Sequence, residues 1–97
     1  MAKAFHCSLV TPEQSMLEAE ATYADVPAHD GQVGFMANHA PALIQLGKGR
    51  LTLTLADQSK RVYQLAGGFA QMNANRLTLL SEKAAEADAT AHSLHAQ

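Results

Sequence analysis

The sequence predicts an all-β domain, a sandwich or barrel of short strands. Three observations carry this. Apolar and polar residues alternate with a period of two, most cleanly at Leu51, Leu53 and Leu55 against Arg50, Thr52 and Thr54. Turn-forming residues recur roughly every eight to twelve positions. No helical apolar period occurs before Ser81.

Taken in order, Phe5, Cys7 and Leu9 alternate with His6, Ser8 and Val10, which predicts a strand with one apolar face. Thr11-Pro12-Glu13-Gln14 ends it. Met16-Leu17 opens a short second strand, and residues 19–26 form a third. Residues 26–41 hold two prolines, two glycines, two histidines and an aspartate, so much of this stretch cannot be helix. Asp30-Gly31 is a tight-turn signal, residues 32–36 read as a strand, and Asn38-His39-Ala40-Pro41 as a second turn. After the strand at 50–55, Ala56-Asp57-Gln58-Ser59 turns the chain and residues 61–65 return as its partner. Gly67-Gly68 breaks that run, 69–72 resumes it, Asn73-Ala74-Asn75 turns again, and 77–80 form the last strand. The double glycine suits a bulge or corner. Phe5, Phe35, Phe69, Tyr23 and Tyr63 mostly fit the core alternation.

Ninety-seven residues make one domain, read as a β-sandwich over 1–82 and a short tail over 83–97. The tail is alanine-rich, with Leu94 as its one large apolar residue, and is expected to be frayed or partly helical. The net charge is −2, and the basic residues Lys3, Lys48, Arg50, Lys60, Arg61, Arg76 and Lys83 are scattered rather than striped. With no tryptophan and few other aromatics, this argues against nucleic acid as a partner. Cys7 is the single cysteine and sits in an apolar alternation, so no internal disulfide is possible and a buried thiol is expected. No signal peptide and no apolar run near the ~20 residues of a membrane span occur. The chain is therefore expected to be soluble and intracellular, reaching a membrane only through a partner.

Few residues invite chemistry. Asp30 and His39 could be two members of a triad, but none of the serines has a nucleophile-elbow context, and Asp30 is better explained by its turn. His92 and His95 have a spacing that fits one helix face, yet nothing completes a metal ligand set. The glycine pairs at 31 and 34 and at 47 and 49 lack the Gly-Lys-Ser/Thr and following helix of a phosphate loop. No catalytic, cofactor or metal site is expected.

Several fragments resemble the N-terminal domain of the epsilon subunit of F-type ATP synthases. They are Val10-Thr11-Pro12-Glu13; Pro27-x-x-Asp30-Gly31-x-x-Gly34 followed by His39-Ala40-Pro41-x-Leu43; Leu46-Gly47-Lys48-Gly49; Gly67-Gly68-Phe69; and Asn75-Arg76-Leu77-Thr78-Leu79-Leu80. Their order and spacing match over residues 5–83. The resemblance implies a flattened sandwich of two antiparallel sheets and a rotor subunit on the cytoplasmic side of the membrane. That subunit would link the gamma shaft to the polar loops of the c-ring without chemistry of its own. It implies that Asp30, Gly31, Gln32 and His39 lie at one end, over the ring. Thr11, His39, Ala40 and Leu43 would lie near gamma. Many family members carry glutamate where Gln32 stands, so a neutral hydrogen bond replaces an ion pair here. The family commonly continues into a helical hairpin that can inhibit hydrolysis and in some members binds ATP. Residues 82–97 have neither the apolar faces nor the arginine for that role. A competing reading is a free-standing β-sandwich module that binds a peptide or carbohydrate, since fold alone does not decide function.

Overall fold

A computed structural model describes residues 3–87. All of its regular structure is β: β1 Phe5–Val10, β2 Ser15–Ala28, β3 Gly31–Phe35, β4 Ala42–Gln45, β5 Lys48–Leu55, β6 Lys60–Asn73 and β7 Arg76–Ala87. The hydrogen-bonded order is β1-β7-β6-β5-β2-β3, with β4 on β6, and a further β1–β2 pairing closes the path into a ring. All pairings are antiparallel except β1 with β7, which is parallel.

Three long strands make two layers out of this ring. The first half of β2 pairs β1, and its second half pairs β3 and β5. The first half of β6 pairs β5, and its second half pairs β4. β7 pairs β1 only through residues 76–80, while β6 flanks it along its whole length. The first layer is thus β4, β6, β7, β1 and β2, and the second is β3, β2, β5, β6 and β7. Strands that pass between packed sheets need a bend or bulge at the corner. β2 has a register shift between Ala21 and Tyr23. β6 turns its corner at Gly67 and Gly68, with φ of 75° and 111°. A Cβ on Gly68 would stand 1.9 Å from the Leu80 carbonyl oxygen, so no side chain fits there. The buried Ser81, opposite Gly68, has its hydroxyl 2.6 Å from the Lys83 carbonyl and 3.2 Å from that of Gly67. Its single proton serves the corner in both strands.

The inward residues of both layers form one core. Phe5, Cys7, Leu9, Leu77 and Leu79 of the first layer meet Val26, Phe35, Leu51, Leu53, Tyr63 and Leu65 of the second. Cys7 is the expected buried thiol; loss of water around it pushes its pKa up to about 12. Tyr63 is buried with its hydroxyl accepting from Arg61 at 3.1 Å, and Arg61 also binds Glu86 at 2.8 Å, holding the last part of β7 to β6.

The all-β expectation holds across the described residues, with local corrections. The segments read as two strands at 16–17 and 19–26 are the single strand β2, because its register shift bends it without ending it. The glycine pair bends β6 rather than breaking it. β4 was not anticipated; four residues are too few to show a period. β7 runs to Ala87, beyond the tail boundary expected at 82/83, because residues 62–66 of β6 continue to pair with it. The rest of the tail, with His92, Leu94 and His95, lies outside the described residues. Phe69 and Tyr23 are exposed rather than core.

Candidate docking surface

The outward residues of the first layer line up in cross-strand rows. Gln45, Phe69, Leu80 and Val10 form one row. Leu43, Gln71, Thr78, Ser8 and Glu18 form the next. Asn73, Arg76, His6 and Glu20 form the third. The surface therefore grades from apolar through polar to charged. Its apolar part is large: Leu43 is 70%, Phe69 53% and Leu80 54% exposed. Phe69 faces water because the corner glycine next to it shifts the inward alternation of β6 onto Ala70 and Met72, and Leu80 faces water because Leu79 and Ser81 take the inward positions of β7. Val10, Thr11, Pro12, Phe69, Leu80, Ser81 and Glu82 line a depression of about 400 Å³. A second, of about 310 Å³, lies between the β2–β3 turn and β4, with His29, Asp30, Val33, Leu43 and Gln45 on its walls.

The residues singled out from sequence fall into separate groups. Thr11 is only 7% exposed. Its hydroxyl donates to the Gln14 carbonyl at 3.2 Å and accepts from the Gln14 N–H at 3.3 Å, so its polar atoms close the β1–β2 turn. What it offers a partner is the wall of the first depression. Asp30 stands at the apex of the β2–β3 turn beside His29, and Gly31 follows with φ 128°, a conformation that suits glycine. Leu43 meets Asp30 across the second depression. Gln32 points to the outer side of the second layer, where its amide donates to Asp25 Oδ1 at 3.0 Å and to the Arg50 carbonyl at 3.4 Å.

His39 and Ala40 are exposed in the loop between β3 and β4. The His39 ring lies edge-on to the buried Phe35 ring at 4.8 Å between centroids. Its Nδ1 is 2.7 Å from the Ala40 carbonyl oxygen, which only accepts, so Nδ1 carries the proton. The loop is tied to the β6–β7 turn by Asn38 and Asn75: the Asn38 N–H donates to Asn75 Oδ1 at 2.6 Å, and the Asn75 amide donates to Asn38 Oδ1 at 3.2 Å. Asp30 precedes β3, Gly31 opens it and His39 follows it. Gly31 and Phe35 stand at opposite ends of the strand, and the His39 ring lies at the Phe35 end. Among the described residues no hydrogen bond or ion pair joins Asp30 to His39. Among the described residues no group of three or more His, Cys, Asp or Glu side chains could hold a metal ion.

What sequence reasoning missed is the row itself. Alternation alone places Phe69 with the core and Leu80 in the last strand, and only the pairing of β6 with β7 shows that they meet outside.

The model of the ATP synthase delta/epsilon chain β-sandwich domain matches residues 4–87. The chain belongs to this family. Curated epsilon chains of ATP synthase are similar to it: that of Sinorhizobium fredii is 39% identical over 91% of this chain and 66% of its own length. That of Chlorobium limicola is 38% identical over 82% and 91%, and that of Caulobacter vibrioides 39% identical over 90% and 99%. The chain thus spans about two thirds of the first relative and nearly all of the other two. The fold matches a chain of the Euglena gracilis mitochondrial ATP synthase assembly of OSCP, F1 and c-ring, with a TM-score of 0.80 at 21% identity, over 99% of this chain and 65% of that one. It also matches a chain of the Tetrahymena thermophila mitochondrial ATP synthase central stalk and c-ring, with a TM-score of 0.72 at 13% identity, over 87% and 67%. For a delta/epsilon-family sandwich, the Asp-Gly-x-x-Gly motif now has a local cause. The Tyr23 side chain lies over Gly34, so closely that a Cβ there would meet its hydroxyl and ring, and the glycine leaves the strand pair room for it.

Proposed function

We propose that this chain is a non-catalytic central-stalk subunit that joins the gamma shaft to the c-ring and turns with them. The first-layer face, with Leu43, Phe69, Leu80 and the wall formed by Thr11, docks gamma. His39 and Ala40 extend that contact at one border. The β2–β3 turn, with Asp30, Gly31 and Gln32, meets the polar loops of the ring. The chain is peripheral on the cytoplasmic side and meets the membrane only through the complex; among the described residues no helix is long and apolar enough to cross one.

The carrying observation is the exposed apolar patch of Phe69 and Leu80, with Leu43 in the adjoining row, on a ring-closed sandwich. Large apolar side chains exposed together mark a protein interface. A closed set of hydrogen-bonded strands around a packed core is a stiff body suited to passing torque. Family membership supports the assignment of the partner. At the ring-facing end, Gln32 is neutral, but its amide holds Asp25 beside it, so a carboxylate still stands at that spot.

Co-expression with gamma and the c-ring tests the reading. The chain should co-purify with both. Leu80→Glu should weaken capture of gamma at least about tenfold, or about 1.4 kcal/mol. Being exposed, it should shift folding stability within about 0.5 kcal/mol. Failure of the unaltered chain to bind gamma, or equal binding by Leu80→Glu, overturns the proposal.

A further inference from the structure

The charged row of the first layer contains a cluster that the docking reading does not use. His6 on β1 stands directly opposite Glu20 of β2 and diagonally from Glu18, whose register partner is Ser8. All three side chains lie on the outward positions. His6 Nδ1 is 2.9 Å from Glu20 Oε2, and Nε2 is 3.1 Å from Glu18 Oε1. On the other flank, Arg76 of β7 is in register with His6. The charged groups around the ring are therefore Glu18 and Glu20 from β2 and Arg76 from β7. The imidazole side chain is 28% exposed.

The geometry specifies the state of the ring. An ionised carboxylate only accepts hydrogen bonds, and a neutral imidazole has one N–H. A neutral ring could satisfy one glutamate and would turn a lone pair on the other. Only the imidazolium donates to both. In line with this, the hydrogen bonds to Glu20 and Glu18 raise the His6 pKa above its usual value, against desolvation and the Arg76 charge.

The location gives the cluster consequence. Without the β1–β2 pairing, the strands form an open path from β1 to β3. The two ring hydrogen bonds span the pairing that closes the sandwich, at cross-strand positions where opposite charges stabilise a sheet.

We propose that His6, Glu18 and Glu20 form a proton-operated clasp on the β1–β2 seam, closed while the ring carries both protons and loosened when it loses one. With the clasp closed, the two carboxylates are balanced by the imidazolium and the Arg76 guanidinium. Loss of the ring proton leaves one carboxylate without its donor and one uncompensated negative charge on this border of the face. The folded pKa is raised, so the stabilisation is complete below the unfolded-state value of about 6.5 and is lost as pH rises through the folded value. The seam tightens in acid and slackens in mild alkali.

Nitrogen-15 NMR of the histidine rings in the full chain, from pH 5.5 to 8.5, tests it. The His6 ring should titrate with a midpoint above the unfolded-state value of about 6.5. Amide exchange at the β1–β2 seam, corrected for its intrinsic pH dependence, should rise at least about twofold across the same titration. The double variant Glu18→Gln, Glu20→Gln should remove the upward shift and the step in exchange together. A His6 midpoint at or below 6.5 in the unaltered chain, or seam exchange that is flat across it, overturns the proposal. Both readouts come from the unaltered chain, so they decide even if the variant fails to fold.

Discussion

The two outer faces of this sandwich enclose one core yet differ sharply. The first layer shows Leu43, Phe69 and Leu80 to solvent. The second shows Asp25, Gln32, Thr52, Thr54, Lys60 and Gln64, and its outward Val62 is buried at 6%. Tyr23, the large exposed aromatic of that side, is folded down over Gly34. The inward positions of both layers follow the same period-two rule and serve folding. The outward positions are free of that demand, so their difference records what each face meets. An apolar row kept in water on one side only is the mark of a partner.

Breaking the corner between the layers should have the largest effect. Gly68→Ala places a Cβ 1.9 Å from the Leu80 backbone oxygen at φ 111°. Backbone cannot move aside as a side chain can, so the variant should lose at least about 3 kcal/mol or fail to fold. Gly34→Ala makes a useful contrast on the second layer. The added Cβ would meet the Tyr23 hydroxyl at 2.2 Å and ring carbon Cζ at 2.9 Å, both on a side chain that is partly in water. Tyr23 can rotate outward, so the loss should be about 1 kcal/mol. Urea denaturation of both variants checks the order; equal losses would mean that the Gly68 corner is softer than its geometry implies.

The core half of this comparison was legible in the sequence, and the interface half was not. Phe5, Cys7 and Leu9 or Leu51 and Leu53 declare an inward face because alternation is a local property. Whether Phe69 points in or out depends on the φ values of Gly67 and Gly68, which no period encodes. That Phe69, Leu80 and Val10 share a row depends on register between strands far apart in sequence. The likeness in sequence to a family led to Thr11, His39 and Leu43, but not to how they are spent. Thr11 uses its hydroxyl inside its own turn, and His39 stands a strand's length from Gly31.

His39→Ala should have a small effect on folding. The ring is exposed and donates to the carbonyl of its own neighbour, but it also packs edge-on against Phe35. An aromatic edge contact contributes about 0.5–1.5 kcal/mol when fully made, and at a solvent-exposed ring the loss should fall at the lower end of that range. Capture by gamma should weaken more than stability does. A loss of several kcal/mol in folding with unchanged capture would make His39 a support for Phe35 and remove it from the docking border.

The smallest effect separates the two faces by the sign of their response to pH. Asp57, in the β5–β6 turn of the second layer, accepts from the Ser59 hydroxyl at 2.5 Å and the Ser59 N–H at 2.9 Å. These bonds favour the carboxylate and lower its pKa. A lowered folded pKa contributes stability above the unfolded-state value and loses it as pH falls through the folded one. His6 on the first layer has the opposite sign, with stability present in acid and lost toward alkali. Thermal midpoints should therefore decline at both ends of the range for different local reasons. Asp57→Asn should flatten only the acid limb, between about pH 5 and pH 2, and His6→Gln only the limb above about pH 6.5. The Asp57 turn is fully exposed, so its share should be a small part of the acid decline, which other carboxylates also shape. A change in the alkaline limb on mutating Asp57 would show that the two faces are electrostatically coupled through the core, and the separation drawn between them would fail.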